Sequence, residues 1–136
     1  MEDLKGRLFT DGGARGNPGP AGLGAILFAE DHRMLGFDAR YGGELTNNQA
    51  EYRALLMGLD LAIEHGIRDL LVYMDSELAV KQMKGEYRVK NDDIAQLKTQ
   101  VDARLAKFDS VGFIHVPREQ NRHADRLVNI VLDSRS

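Results

Sequence analysis

The chain has 136 residues, and its 18 Lys and Arg against 21 Asp and Glu give a formal net charge of -3. This balance excludes both a polybasic nucleic-acid-binding protein and an acidic tail. The lack of cysteine in the sequence excludes a disulfide framework, a thiolate metal site and a thiol nucleophile. A chain of this length buries roughly two-thirds of its unfolded surface, so residues 1–136 are expected to form a single domain.

The first residues, "MEDLKGR", lack the apolar core of a signal peptide, and no later run of the sequence is long enough to span a bilayer. We therefore expect a cytoplasmic protein that has no membrane partner. Nothing in the sequence implies a protein partner, and we expect a monomer.

The first third of the chain contains three short apolar runs that predict strands, "GRLFTDG", "GLGAILFAE" and "RMLGFDARY". Glycines stop the first run, and the turn residues Glu30, Asp31 and His32 separate the second run from the third. This order predicts three consecutive antiparallel strands that form a meander.

The remaining two thirds of the chain alternate between helical and strand patterns. Apolar residues at three-to-four spacing predict a helix over 47–65. "DLLVYMD" is typical of a central strand, and it precedes a predicted helix from Ser76, a break at Gly85 and a helix over about 92–107. "SVGFIHVP" predicts a fifth strand, and residues 121–133 predict the last helix.

These elements predict an α/β fold, a mixed five-stranded sheet with helices on both faces. Asp11 ends the first predicted strand and Asp75 ends the fourth, and the carboxyl ends of parallel neighbours meet at one edge of a sheet. Glu51 is expected in the first turn of the helix that crosses this edge. Asp125 is expected in the first turn of the last helix, on the inward side with Val128. We therefore expect four acids to converge.

Each acid also has a purely structural interpretation. Asp11 suits a turn, and Glu51 suits a capping box with Asn48. Asp75 suits a helix cap, and Asp125 suits an acid that offsets the helix dipole. These interpretations explain the acids one at a time but give no reason for four of them at one edge.

Four carboxylates at one apolar edge would raise each other's pKa values unless a cation neutralised them. Oxygen ligands without His or Cys favour Mg²⁺ or Mn²⁺, and carboxylate-rich sites commonly hold two such ions. Two ions suit in-line displacement at phosphorus, in which one activates water and the other stabilises the leaving oxygen. The predicted chemistry is phosphodiester hydrolysis with two Mg²⁺ ions, for which Mn²⁺ can substitute.

Four stretches resemble the ribonuclease H type 1 family in order and spacing, from Phe9 to about Val131: "FTDGGARGNPGPAGLGAIL", "TNNQAEYRALLMGL", "VYMDSELAVKQMKGEYRVKN" and "HVPREQNRHADRLVN". The resemblance implies a ribonuclease H-like fold and cleavage of the RNA strand of RNA/DNA hybrids, leaving 5′-phosphate and 3′-hydroxyl ends. It also implies that the catalytic, metal-binding residues are Asp11, Glu51, Asp75 and Asp125.

Substrate recognition is expected at the glycine-rich segment and at the start of the first long helix. Glycines let a nucleic-acid backbone approach closely enough to hydrogen-bond main-chain groups. Telling RNA from DNA requires contact with the 2′-hydroxyl in the wide minor groove of a near-A-form hybrid. The resemblance assigns substrate contacts to Gly12, Gly16, Asn17, Thr46, Asn47, Asn48 and Glu77. Relatives commonly have an amide at the last of these positions, whereas a carboxylate accepts but cannot donate.

The segment "KQMKGEYRVK" offers positive charge to a polyanion, although a solvated helix surface is the alternative interpretation. Its cations are Lys81, Lys84, Arg88 and Lys90. Many bacterial relatives have an extra helix and a basic loop here, whereas few residues separate Gly85 from Asn91 in this chain. The sequence thus resembles the compact subtype that lacks the basic protrusion.

The segment before the last helix departs from the family pattern. Relatives often have a mobile histidine in a loop here, but only three residues lie between Pro117 and Asn121. His115 is expected inside the fifth strand, so we assign an auxiliary catalytic role to Arg118. A surface arginine is the alternative interpretation.

Two other functional classes remain open at this stage. A non-catalytic hybrid-binding module would share the fold but would tolerate the loss of an acid, and all four acids are present. A nucleotide-binding α/β enzyme would need a phosphate-binding loop, but neither "GKS" nor "GKT" occurs in the sequence. Within the enzyme class, cleavage of RNA/RNA duplexes in addition to hybrids also stays open.

Overall fold

The structure, a computed structural model, describes residues 5–135. Within these residues, five strands, four α-helices and a 3-10 turn follow one another along the chain. They are β1 (Lys5–Ala14), β2 (Gly19–Ala29), β3 (Met34–Leu45), α1 (Asn47–Glu64), β4 (Asp69–Met74), α2 (Glu77–Met83), α3 (Asp92–Leu105), β5 (Ser110–His115), the 3-10 turn (Arg118–Asn121) and α4 (Arg122–Asp133).

The strands form one mixed sheet in the order β3-β2-β1-β4-β5. β1, β2 and β3 pair antiparallel, as the meander predicts, whereas β4 runs parallel to both β1 and β5. The parallel pairing of β1 with β4 ends at Phe9 and Tyr73. The same register, continued by two residues, places Asp11 beside Asp75. The predicted mixed five-stranded α/β sheet is confirmed.

Helices α1 and α4 cover opposite faces of the sheet, and two glycines show how closely they pack. A Cβ atom at Gly12 would collide with the backbone of Ala50 in α1. A Cβ atom at Gly24 would lie 2.6 Å from the carbonyl oxygen of Ala124 in α4. Gly24 pairs with Asp11, and directly paired residues share a face, so Asp11 lies on the α4 face.

The main core lies between the sheet and α1, and α2 and α3 extend it on the same side. Tyr52 of α1 is fully buried, and its hydroxyl donates a 2.7 Å hydrogen bond to Gln82 of α2. Ile94, Leu97 and Val101 form the buried side of α3. The scarcity of charge in the predicted 47–65 helix reflects this burial, since ten residues of α1 are buried.

The start of α1 corrects one sequence-based interpretation. The hydroxyl of Thr46 accepts from the Gln49 amide at 3.1 Å, and the Gln49 side chain accepts from the Thr46 amide at 2.9 Å. This capping box starts the helix at Asn47. Glu51 therefore lies beyond the first turn and does not cap the helix through Asn48, which leaves its carboxylate available to the sheet edge.

Two boundaries also differ from the predictions. β1 continues past Asp11 to Ala14 because its pairing with β2 extends to Ala21, so this acid lies inside a strand and not at its end. The residues expected as a loop after Pro117 form the 3-10 turn.

Among the helices of residues 5–135, none combines the length and the apolar character that crossing a membrane requires.

Candidate active site

Three acids meet where the pairing of β1 with β4 has ended. Asp11 and Glu51 are buried, with exposed fractions of 6% and 8%, and Asp75 is half-buried. One carboxylate oxygen from each of these acids lies within 4.8 Å of the others. Asp125 is not part of this triple, but it lies in the first turn of α4 and lines the same cavity.

The burial of these acids raises their pKa values. Burial, reinforced by the charge of Asp75, raises the pKa of Asp11 from 3.8 to about 7. Burial and the neighbouring Asp11 raise the pKa of Glu51 well above its usual range. Burial also raises the pKa of Asp75, against the opposing effects of the Asn121 amide and the Arg118 charge. At neutral pH the cluster is therefore costly for the fold unless a positive charge joins it.

The donor set fits a divalent cation. Glu51 Oε2 and Asp75 Oδ2 are buried and have no hydrogen-bond partner in the described part of the chain. An unpaired buried carboxylate oxygen costs free energy, and a cation bound to it would remove that cost. Carboxylate oxygens are the ligands that hard divalent cations prefer. The cluster can therefore hold a divalent metal ion.

The acids open into a cavity of about 350 Å³. Among the residues predicted to bind substrate or assist catalysis, Gly12, Asn47 and Arg118 line it. The cavity is also lined by two polar residues that the sequence analysis did not predict there, Arg15 and Asn129. The Asn129 amide lies 3.4 Å from Asp125 Oδ2, one helical turn away. The spacing of four residues between Asp125 and Asn129 on a predicted helix is the sequence feature that indicates this contact.

The two asparagines assigned to substrate binding hold each other's segments in place. The side-chain oxygen of Asn47 accepts from the backbone amide of Ala14, and that of Asn17 accepts from the backbone amide of Asn47, both at 3.0 Å. These bonds join the glycine-rich turn to the start of α1. Both side-chain oxygens accept a hydrogen bond, and the two amide nitrogens have no acceptor among residues 5–135, so they can donate to a substrate.

Other predicted substrate contacts lie outside the cavity. Thr46 caps α1, and Asn48 has a buried side-chain oxygen without a partner among residues 5–135. Glu77 pairs with Lys81 at 3.6 Å, and the Lys81 ammonium lies 4.9 Å from the centre of the Tyr87 ring. The remaining members of this group are exposed and also do not line the cavity: Gly16, Asn17, Lys84, Arg88 and Lys90.

The structure separates the two candidates for the auxiliary role. Arg118 is exposed at the rim of the cavity, and its charge opposes the rise that burial causes in the pKa of Asp75. His115 pairs with Met74, which is buried, and directly paired residues share a face of the sheet. His115 therefore lies on the face of Met74, and it does not line the cavity.

Comparison with known proteins places the chain in a family. The model of the family described as "Reverse transcriptase-like" matches residues 9–131. A bifunctional protein of Mycobacterium tuberculosis is 44% identical over 132 residues, which are 96% of this chain. The chain spans only 36% of that relative's length.

Two solved structures resemble the chain over nearly their full lengths. Ribonuclease H1 of the archaeon Halobacterium salinarum has a TM-score of 0.93 at 36% identity, covering 96% of this chain and 98% of its own. A ribonuclease H1 in complex with an RNA/DNA hybrid has a TM-score of 0.89 at 40% identity, covering 95% of this chain and 97% of its own. The matched family model, these likenesses and the convergent acids give one conclusion: the chain belongs to the ribonuclease H type 1 family.

Proposed function

We propose that the chain hydrolyses the RNA strand of RNA/DNA hybrids and leaves 5′-phosphate and 3′-hydroxyl ends. The observation that carries this proposal is the cluster of Asp11, Glu51 and Asp75, whose oxygens lie within 4.8 Å of each other beside Asp125. A relative of the same fold is known in complex with an RNA/DNA hybrid, which supports this substrate class.

The four acids are the proposed ligands of two Mg²⁺ ions, with Mn²⁺ as a substitute. When bound, such ions supply an activated water and stabilise negative charge on the leaving oxygen. The protein contributes a fixed set of anionic oxygens, two of which are buried and have no hydrogen-bond partner within residues 5–135. It also contributes Asn129, whose amide lies near Asp125 Oδ2 and can hold that carboxylate toward the cavity.

The remaining groups around the cavity position the substrate. Arg118 carries a permanent positive charge at the rim, where it can favour the charge that develops on the phosphate in the transition state. Gly12 presents main-chain groups to the cavity. The amide nitrogens of Asn17 and Asn47 are available to bond the 2′-hydroxyl, as the wide minor groove of a hybrid allows.

The basic segment supplies a second, weaker contact with the nucleic acid. Lys84, Arg88 and Lys90 are exposed outside the cavity, so they can meet phosphates remote from the cleavage point. We expect this compact domain, residues 1–136, to act as a monomer without a protein partner. Salt should weaken its hybrid binding less steeply than that of relatives with a basic protrusion, since fewer phosphates are neutralised.

Uniformly labelled RNA/DNA, RNA/RNA and DNA/DNA duplexes test the proposal, each with Mg²⁺, Mn²⁺ or EDTA. We expect cleavage of the RNA strand of the hybrid with either ion and none with EDTA. Cleavage of RNA/RNA as well would widen the substrate class. Hybrid binding without cleavage under any condition would contradict hydrolysis and would make the chain a hybrid-binding module.

A further inference from the structure

The α4 face of the sheet carries a second cavity, nearer than the acids to the start of β1. Arg7 and Phe9 alternate with buried residues along β1 and so share the face of Asp11. Helix α4 begins at Arg122, and its first turn packs on Gly24, so it leaves the sheet uncovered toward Phe28 of β2. The uncovered part is aromatic: the Phe9 ring stacks on the Tyr73 ring, with centroids 4.5 Å apart, and lies perpendicular to the Phe28 ring, with centroids 5.8 Å apart.

The cavity at this place has a volume of about 260 Å³. Its lining joins two phenylalanine rings to imidazole, amide and guanidinium groups, and the residues are Arg7, Phe9, Phe28, His32, Gln120, Asn121 and His123. Small-molecule sites combine an apolar wall with a few convergent polar groups in this way. The volume is just below the roughly 300 Å³ at which the range for small-molecule sites begins.

The charge of this lining is one-sided. None of the seven lining residues is acidic, in a chain whose acids outnumber its Lys and Arg by 21 to 18. Arg7 is half-buried, and within residues 5–135 its guanidinium has no ion pair or hydrogen bond. A half-buried guanidinium that pairs with no acid within the described residues can bond a phosphate through two parallel N–H groups.

From this geometry we propose that the cavity binds a nucleotide. The base lies against the Phe9 and Phe28 rings, where stacking accepts any base. The Gln120 amide bonds the edge of the base, since its side chain has no other partner within the described residues. Arg7 bonds the phosphate, and the two imidazoles border the same space.

The nucleotide cavity is separate from the catalytic cavity, with which it shares no lining residue. Asn121 lines the first of them and contacts the strand that carries Asp11. It is 1% exposed, and its side-chain nitrogen donates a 2.9 Å hydrogen bond to the carbonyl oxygen of Thr10, the residue before Asp11. The inference therefore does not depend on hydrolysis, and either one can fail while the other holds.

Binding is tested on the full chain in EDTA, so that no metal ion links AMP to the acids. AMP, adenosine and inorganic phosphate are titrated separately while the NMR signals of the protein are followed. We expect AMP to shift the signals of Phe9, Phe28 and Gln120 and to bind more tightly than adenosine or phosphate alone. Absence of these shifts, or phosphate binding as tightly as AMP, would overturn the nucleotide assignment.

Two variants and a matched control locate the contacts. Arg7→Gln should weaken AMP binding at least fivefold and should bring it close to adenosine binding. Phe28→Leu keeps an apolar side chain but removes the ring, and it should weaken AMP about tenfold, within the range for loss of one base stack. The control is Phe37→Leu, on β3 beside Ile26, since Phe37 is 58% exposed on the same face and lies outside the cavity.

The control should bind AMP as the unmodified chain does. If Phe28→Leu unfolds the protein, Arg7→Gln is the deciding variant, since it removes only a half-buried charge, and unchanged AMP affinity in that variant would overturn the proposal. A single-stranded oligoadenylate then distinguishes the two sources of the ligand. Tighter binding of the oligonucleotide, still weakened by Arg7→Gln, assigns the site to the end of a strand, and tighter binding of AMP assigns it to the free nucleotide.

Discussion

Removing the charge of Asp11 should stabilise the metal-free protein and should abolish the proposed cleavage of RNA/DNA hybrids. The substitution Asp11→Asn keeps the shape of the side chain but takes one negative charge out of a buried cluster. Asp11 is 6% exposed, and burial together with the charge of Asp75 raises its pKa to about 7. The amide needs no counter-charge, so the native state loses a cost that the ionised acid imposes.

The size of this gain follows from the pKa of Asp11. Its rise from 3.8 to about 7, at about 1.36 kcal/mol for each pKa unit, makes ionised Asp11 cost up to about 4 kcal/mol of the free energy of unfolding. Because Glu51 and Asp75 share the repulsion, we expect a gain of about 2 to 4 kcal/mol for the variant. At roughly 3 to 5 °C per kcal/mol in a domain of this size, the Tm should rise by at least about 6 °C.

The pH dependence gives the sign of the effect. A carboxyl group whose pKa is raised in the native state keeps its proton to a higher pH than in the unfolded chain. The native state therefore loses stability as pH rises from about 4 to about 7, and the loss stays complete at higher pH. Unmodified protein and the Asp11→Asn variant should match near pH 4 and differ fully at pH 8.

Denaturant unfolding in EDTA between pH 4 and pH 8 measures this difference, with Glu44→Gln as the control. Glu44 is exposed on β3 and has no ion pair within the described residues, so its neutralisation should leave stability nearly unchanged. Added Mg²⁺ should stabilise the unmodified chain and not the Asp11 variant. An Asp11→Asn variant that is less stable than the unmodified chain at pH 8, or a difference that does not change with pH, would refute the reasoning.

Three further predictions concern hydrolysis and hybrid binding. Asp75→Asn should fold normally and lose cleavage, and activity within about tenfold of the unmodified chain would contradict its assignment as a metal ligand. Arg118→Ala should lower kcat while leaving hybrid affinity nearly intact, and His115→Ala should change neither quantity. The reverse result in steady-state kinetics would assign the auxiliary role to His115 and not to Arg118. The last prediction concerns a combined alanine variant of Lys81, Lys84 and Arg88. This variant should bind the hybrid more weakly, and the slope of log affinity against log salt should become shallower by up to about 3. An unchanged slope would show that the hybrid binds to a different surface.

The sequence predicts the sheet and the acid cluster because both depend on local patterns. Alternating and continuous apolar runs indicate the strands, and a parallel pair places the ends of its strands side by side whatever the loops do. Asp75 follows from that rule, and Asp11 comes two residues after the parallel pairing of its strand with β4 ends, although β1 itself continues to Ala14. Asp125 follows from its spacing to Val128, and both side chains lie where the 3.6-residue period of α4 puts them.

The rest depends on contacts between distant segments, which no local pattern reveals. The sequence predicts Glu51 in the first turn, whereas the capping box of Thr46 and Gln49 makes it the fifth residue of α1. Arg15 lines the cavity of the acids only because the turn after β1 folds back over the end of α4, where Arg15 pairs with Asp133. Such a contact joins residues 118 positions apart.

The two cavities on the α4 face have a common cause in how far this helix covers the sheet. Glycine at position 24 lets the first turn of α4 approach β2, because a side chain there would collide with Ala124. The same approach holds Asp125, the next residue, over the strand that carries Asp11. Since α4 begins only at Arg122, the strand below Asp11 stays open, and alternation brings Phe9 and Arg7 to its surface. The packing that completes the acid cluster therefore also exposes the aromatic and cationic cavity beneath it.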